Sequence, residues 1–445
     1  MPTSAASALT NKLFQVITGG NGVPPGSFIS FVGGGIPLDA AHLSWAAKVP
    51  PYVGCQDADN AYAFSTLVNT IPTAAGPWAA GSANMAKAFR DIWLMNAEVP
   101  NIPLTPAQVT ERDTAQTLVD QKYDAYTQYQ NDWANANMMF QLATLAPRDA
   151  QYFQNLLLAR SQVTAALTAW QAKGAKAEFE HAMATVQHYN DLGFVNAIQN
   201  LKNDYDLVYN ANVTSGTQRF APVQLFPNNF LSAGGPKWNK FNLSETEFSR
   251  FQSSSSHSYS SGADVGFLFW TVASGGSSGW SHRNQLNINT AQLNVGFEFL
   301  RVRLDRSDWF DSFLLTSNAW WWHGATKSNP TFGGPVFSNG APVPSCQGQW
   351  QMIPTDMIVA RNLVVDVGAY DLQHSDFASH SQSASSAGFW IFSTSSHSAS
   401  STSSSYTHTF QSKSRLVAAQ PQIVAFICQL MPKEPNPDYH LLPSR

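Results

Sequence analysis

Charge is scarce in this sequence. Asp, Glu, Lys and Arg supply only 12% of 445 residues, about half the share usual for soluble globular proteins. The surface must therefore be covered largely by Ser, Thr, Asn, Gln and Gly. Such a surface repels itself weakly and tolerates close contact with another surface, which suits an assembling, extracellular or membrane-meeting protein. The net charge of -4 and the pI near 6.2 leave no basic stripe for phosphates, so no nucleic-acid partner is expected.

Cysteine is equally sparse. Cys55, Cys346 and Cys428 are too few and too scattered for a disulfide framework or a zinc site, and they read as small buried hydrophobes. The opening stretch, MPTSAASALTNKLFQVITGG, lacks the basic and apolar regions of a Sec signal. No run of 18 or more apolar residues exists, so no transmembrane helix is expected. These absences predict synthesis in the cytosol without a Sec signal, with release by lysis or a dedicated export system.

Catalytic signatures are missing as well. The G-x-S-x-G spacing occurs only at Gly275–Gly279, inside a Ser-rich run where serines are so abundant that any one of them is uninformative, and there is no H-E-x-x-H pair. Gly33-Gly34-Gly35 is not followed by the Lys-Ser/Thr of a phosphate loop. His181 and His188 share a helical face, but two turns separate them by about 10 Å, too far for one metal. Asp305, Asp308 and Asp311 lie in LDRSDWFDSF, where Trp309 and Phe310 interrupt any EF-hand pattern. A short helix capped by Ser307 explains these acids. No catalytic residue, metal or cofactor is expected, and a hidden enzymatic site would show only as a cleft of titratable groups with perturbed pKa.

What the chain does have is pattern. After a Gly- and Pro-rich stretch, residues 1–104, Thr105, Pro106 and Gln108 form a helix start with a capping box. Val119, Tyr126, Trp133 and Phe140 repeat every seven residues, with Tyr123 on the same stripe, as a helical seam requires. A second helix is expected from about Asp149 to Lys173 and a third continues to about Ala211. From residue 217 the period changes to two. Val295, Phe297 and Phe299 share one strand face, and Arg301 and Arg303 continue on that same apolar parity. Ile358–Val367 and Ile423–Leu430 read as buried strands.

The fold class is therefore α+β: a long antiparallel helical hairpin or bundle at 105–211, followed by an antiparallel β-sandwich or twisted-sheet domain at 217–445. Residues 1–104 form a mixed segment that packs on the C-terminal domain.

Two Ser-rich amphipathic segments, 253–283 and 376–414, dominate the functional reading. SHSYSSGADVGFLFW at 256–270 is echoed by SHSQSASSAGFWIF at 379–392. Val265, Phe267 and Phe269 share one parity, as do Phe389 and Ile391. Trp390 and Phe392 take the other parity, and Asp264 is the one acid in 261–273; a membrane-spanning β-strand needs about 9–11 alternating residues without charge on the lipid face, and in general character these charge-poor segments are similar to the inserting segments of pore-forming toxins. The same alternation also fits an ordinary sheet, or strands that stack into a filament, shell or crystal. Trp320, Trp321 and Trp322 offer either an interfacial surface or anchors on the two faces of a strand. His257, His380 and His397 gain charge near pH 6.5 and are candidates for sensing acidification. The expected partners are a lipid membrane or cell-surface receptor and other copies of the chain.

Overall fold

The capping box at Thr105 forms as its sequence dictates. In the computed structural model the Thr105 backbone N–H donates to Gln108 Oε1 at 2.9 Å, and the Gln108 N–H donates to Thr105 Oγ1 at 3.4 Å. Each residue satisfies a donor that the first helical turn leaves without a partner. The structure describes residues 5–17, 26–48, 50–72, 83–99, 105–145, 151–192, 194–232, 234–244, 270–273, 282–283, 294–341, 345–366, 386–389, 392–393, 409–412, 414–440 and 442–443.

The described helices are α1 (Ala5–Ile17), α2 (Gln56–Val68), α3 (Met85–Lys87), α4 (Pro106–Leu145), α5 (Tyr152–Ala172), α6 (Lys176–Leu192) and α7 (Phe194–Ala211). A 3-10 helix spans Ala41–Ala47, and α3 runs on into a π-helical turn at Ala88–Leu94. The expected third helix is thus two, α6 and α7, on either side of residue 193. The 40 residues of α4 extend about 60 Å. Along its seam, Val119 packs with Phe179, Ala182 and Val186 of α6. Tyr126 stacks on Phe179 with 4.1 Å between ring centroids. Tyr126 and Trp133 each lie 5.5 Å from Trp170 of α5. Gly174 allows the α5–α6 turn to close, because a Cβ there would come within 2.7 Å of the Trp170 carbonyl oxygen.

The strands are, in chain order, β1 (Ser27–Pro37), β2 (Ala97–Glu98), β3 (Gln224–Phe226), β4 (Asn239–Leu243), β5 (Trp270–Ala273), β6 (His282–Arg283), β7 (Asn294–Asp305) and β8 (Trp321–Trp322). They continue with β9 (Ser338–Asn339), β10 (Met352–Asp366), β11 (Ser386–Phe389), β12 (Phe392–Ser393), β13 (Thr409–Ser412), β14 (Arg415–Ala418), β15 (Gln422–Leu430) and β16 (Lys433–Glu434). Eight of them form one antiparallel sheet with β10 as its spine. One edge of β10 pairs with β15 and, beyond a break, with β14; the other edge pairs with β7. On the far edge of β7 lie β3 and β4, on β15 lies β1, and on β14 lies β13. The chain is thus a mixed α+β protein in which α4 packs α5 and α6, followed by an eight-stranded antiparallel sheet. The N-terminal stretch contributes to that sheet directly, through β1.

Both faces of the sheet are covered, as the parity of β7 records. Val295, Phe297 and Phe299 join a core with Leu9, Leu13 and Phe14 of α1 and Met138 of α4. Leu300, Val302 and Leu304 point the other way, into a core with Trp45, Ala58, Ala61 and Phe64. A third, aromatic core gathers Phe89, Trp93, Tyr205, Trp309, Trp320, Trp322 and Trp350.

Arg306 ties these layers together. It is 5% exposed, and its guanidinium donates to Asn69 Oδ1 at 2.7 Å, Pro354 O at 2.6 Å and Val68 O at 3.0 Å. The end of α2, the end of β7 and the start of β10 therefore meet on one side chain. Burial pulls its pKa down to about 10, so it stays protonated at neutral pH. Replacing it by Met strands buried acceptors at about 1–3 kcal/mol each. Arg306→Met is expected to lose at least about 3 kcal/mol on that basis, read as a lower urea midpoint at unchanged slope.

Candidate functional site

The two Ser-rich segments meet. Within them, β5 pairs antiparallel with β11 in the register Trp270↔Phe389, Thr271↔Gly388, Val272↔Ala387 and Ala273↔Ser386. β12 adds to β11 and β6 to β5, giving a four-stranded sheet of order β12-β11-β5-β6, separate from the main one. This second sheet lies against β1 and β15. Phe392 is its anchor, fully buried and 5.0 Å from the Phe297 ring in the core over β7. Among the sequence-predicted site residues, Phe389 sits on β11 opposite Trp270. Val265, Phe267, Phe269, Ile391, His257, His380 and His397 lie outside the described residues.

The three tryptophans divide as alternate residues of a strand do. β8 pairs with β2, Trp322 opposite Ala97 and Trp321 opposite Glu98. Trp320 and Trp322 enter the aromatic core, whereas Trp321 packs with Ala325 and Leu442. Their indole N–H groups donate to Leu315 O, Glu98 Oε2 and Pro335 O, for Trp320, Trp321 and Trp322 respectively. Gly334 lets the chain pass over Trp322, since a Cβ there would fall 2.4 Å from the indole. None of the three is more than 4% exposed. In this folded state they are enclosed by protein.

A cleft of about 570 Å³ opens where α4 and α6 cross the end of β7, a size that suits a small ligand. One wall is apolar: Val119 of α4 with Phe179, Met183 and Val186 of α6. The facing wall is the turn that follows β7, carrying Asp305, Asp308 and Asp311. Ser307 does not cap the expected short helix. The one-turn helix Ser312–Leu315 is capped by Asp311, whose Oδ1 accepts the Phe313 N–H at 2.8 Å and the Leu314 N–H at 3.4 Å. A carboxylate accepts from two amides here where a hydroxyl cannot carry charge toward the helix N-terminus. Asp305 in turn accepts the Ser307 N–H at 3.2 Å and the Tyr123 hydroxyl.

The electrostatics of the cleft follow from burial. Desolvation pushes the Tyr123 phenol up, and the Asp305 charge adds to it. The Asp308 carboxyl also lies above its ordinary range: burial raises it, the Gln224 amide at 2.7 Å acts the other way, and the charges of Asp305, Asp124 and Asp204 raise it further. Burial raises Asp311 against its two backbone hydrogen bonds. Arg303 reaches in from β7 and donates to Gln130 Oε1 at 2.7 Å. The lining includes no imidazole and no thiol. Among the described residues no three His, Cys, Asp or Glu side chains are placed to hold a metal ion.

Sequence reasoning assigned Tyr123 to the helical seam and the three acids to a helix start, and so did not join them. One signal pointed to the cleft: Arg301 and Arg303 on the apolar parity of β7, since a cation on a buried face needs polar company. Arg301 finds Asp356 at 2.8 Å, and Arg303 finds α4.

The raised Asp308 pKa sets a pH dependence. The folded state holds the proton at a pH where the unfolded chain has released it, so this group's contribution is present below the unfolded pKa and is lost as pH rises through the folded pKa. Asp308→Asn keeps an acceptor for Gln224 and removes the charge. The variant is expected to melt above wild type at pH 7.5, with the difference vanishing at pH 3, in paired thermal scans.

Set beside known proteins, this chain matches no family model, no curated protein and no solved structure.

Proposed function

We propose that this protein is a soluble, self-associating, membrane-acting protein of the pore-forming kind, which oligomerises and inserts its Ser-rich amphipathic β segments. The observation that supports this reading is the pairing of β5 with β11. β5 and β6 of the first segment and β11 and β12 of the second, far apart in sequence, are neighbours in a small sheet of their own, while β13 of the second segment joins the main one. Neither β5 nor β11 is hydrogen-bonded to β7, β10 or β15, so in this reading their departure leaves that ladder intact.

Insertion imposes a physical demand that this pairing begins to meet. In hydrocarbon every backbone N–H and C=O needs a partner, so strands cross only as a closed barrel. Each copy would supply a paired unit, and oligomerisation would close the ring. Val265, Phe267 and Phe269, with Phe389 and Ile391, form the lipid-facing set in this reading, while serine hydroxyls line the lumen; because Phe389 now stands opposite Trp270, insertion shifts that register by one residue to bring the two sets to one face. Trp320, Trp321 and Trp322 contribute at a lipid interface only if the aromatic core opens. His257, His380 and His397 make acid the trigger. The other reading, a non-enzymatic subunit of a filament, shell or crystal, rests on the same charge-poor surface.

Dye release from liposomes at pH 7.5 and pH 5.5, with negative-stain images of the same samples, separates the two. Release with ring-shaped particles is expected. Phe267→Asp and Phe389→Asp are each expected to abolish release at unchanged circular dichroism, because an acid on the lipid face of a membrane strand is strongly unfavourable. Release that survives both substitutions removes the insertion reading, and ordered particles without release make the protein a building block.

A further inference from the structure

Glu434 is a buried acid that neither the main sheet nor the Ser-rich segments use. It is 2% exposed, and its Oε2 has no hydrogen-bond partner among the described residues. An ionised carboxylate in that position is strongly unfavourable, whereas the neutral acid is tolerated. Burial accordingly pushes its pKa from 4.5 up to about 8, opposed by a hydrogen bond from the Asn436 backbone. The titratable groups on the elements around it are Lys433 on the exposed side of β16, Cys346 beside Ser338, and Glu98 and His323 by Trp321. Lys327, Asp438, Tyr439 and His440 follow where the chain crosses the turn after β8. None of these groups contributes to the shift.

What Glu434 anchors is the start of a strap. β16 is two residues long and pairs with β9 in a sheet apart from the main one. Beyond it the Asp438 N–H donates to Asn318 O at 2.7 Å, and the Lys327 N–H donates to Pro443 O at 2.9 Å. Lys327 Nζ lies 5.8 Å from the centre of the Tyr439 ring. Leu442 packs on Trp321 and Ala325, and Trp321 is only 4% exposed. None of these bonds belongs to the ladder of β7, β10 and β15.

We propose that Glu434 is a pH-sensitive latch, which with its proton holds the strap from β16 to Pro443 over Trp321 and on ionising releases the strap and uncovers that indole. Linkage sets the direction. The closed strap keeps the proton at pH values where the open one has lost it. Closure is therefore fully favoured below about 4.5, weakens about tenfold per pH unit up to about 8, and then levels off. The latch answers to rising pH, opposite in direction to the histidines, and it does not depend on insertion of the Ser-rich segments.

Amide hydrogen exchange of the full-length chain between pH 6 and pH 9, corrected for base catalysis of the exchange itself, tests this. The Lys327 and Asp438 amides are expected to lose protection about tenfold per unit up to pH 8 and then level off. The Met357 and Ile358 amides of β10 are expected to keep theirs. Glu434→Gln preserves the size of the side chain and removes its titration, so its strap amides are expected to show no such slope. Leu442→Ala is expected to lower strap protection by one factor at every pH with the slope intact, because it weakens the cover over Trp321 without touching the acid. Wild-type strap protection that is constant from pH 6 to pH 8 overturns the latch, whether or not the glutamine variant folds. A Glu434→Gln variant that retains the wild-type slope overturns it too, and unchanged strap protection in Leu442→Ala removes Trp321 from the proposal.

Discussion

The guanidinium of Arg306 is the point on which this fold turns. A buried arginine has five N–H groups to satisfy, and no single strand or helix end offers enough acceptors. Here the acceptors come from the last residue of α2, the Asn that follows it, and the Pro354 carbonyl at the start of β10. The requirement to pair one charge therefore fixes three elements relative to one another. Around that point the aromatic core, the cleft and the far face of the sheet take their places. The neighbouring pair of Arg301 with Asp356 repeats the arrangement one layer out: burial raises the Asp356 carboxyl, and the charge and hydrogen bonds of Arg301, the Arg303 charge and the Thr355 hydroxyl together more than reverse it, leaving it below its ordinary range.

Local rules carried far into the structure. The capping box at Thr105, the seven-residue seam of α4 and the parity of β7 all depend on neighbours within a turn or two, and those contacts stand where the sequence places them. What local rules do not hold is pairing between distant segments. β1 reads as a Gly-rich turn region by itself, yet Phe28, Ile29 and Phe31 are core residues because β15 lies beside them. The π-helical turn at Ala88–Leu94 has no sequence mark either, since its widened geometry follows from the packing of Phe89 and Trp93 against Trp309 and Trp320.

The site was legible only in pieces. The Ser-rich echoes stand out as sequence, but their antiparallel partnership is a tertiary fact. The acids of the 305–311 turn were visible, while their neighbour Tyr123 lies far away in the chain and on a helix whose periodicity explains it without reference to any cleft. Tryptophan content alone could not separate a surface from a core. The alternation of Trp320, Trp321 and Trp322 between two cores depends on β2, a two-residue strand with no pattern of its own.

The pairing of β1 with β15 has a consequence for how the chain is made. β1 lies at residues 27–37 and its partner at 422–430, so on a ribosome the sheet cannot close until almost all of this sequence has emerged. The helices α4 to α7 gather local contacts early, whereas β1 waits with an open ladder edge through the synthesis of everything between. Contacts of such long range fold slowly and leave hydrophobic edges exposed meanwhile. A surface with few charges offers little repulsion to keep those edges apart while the chain is being made.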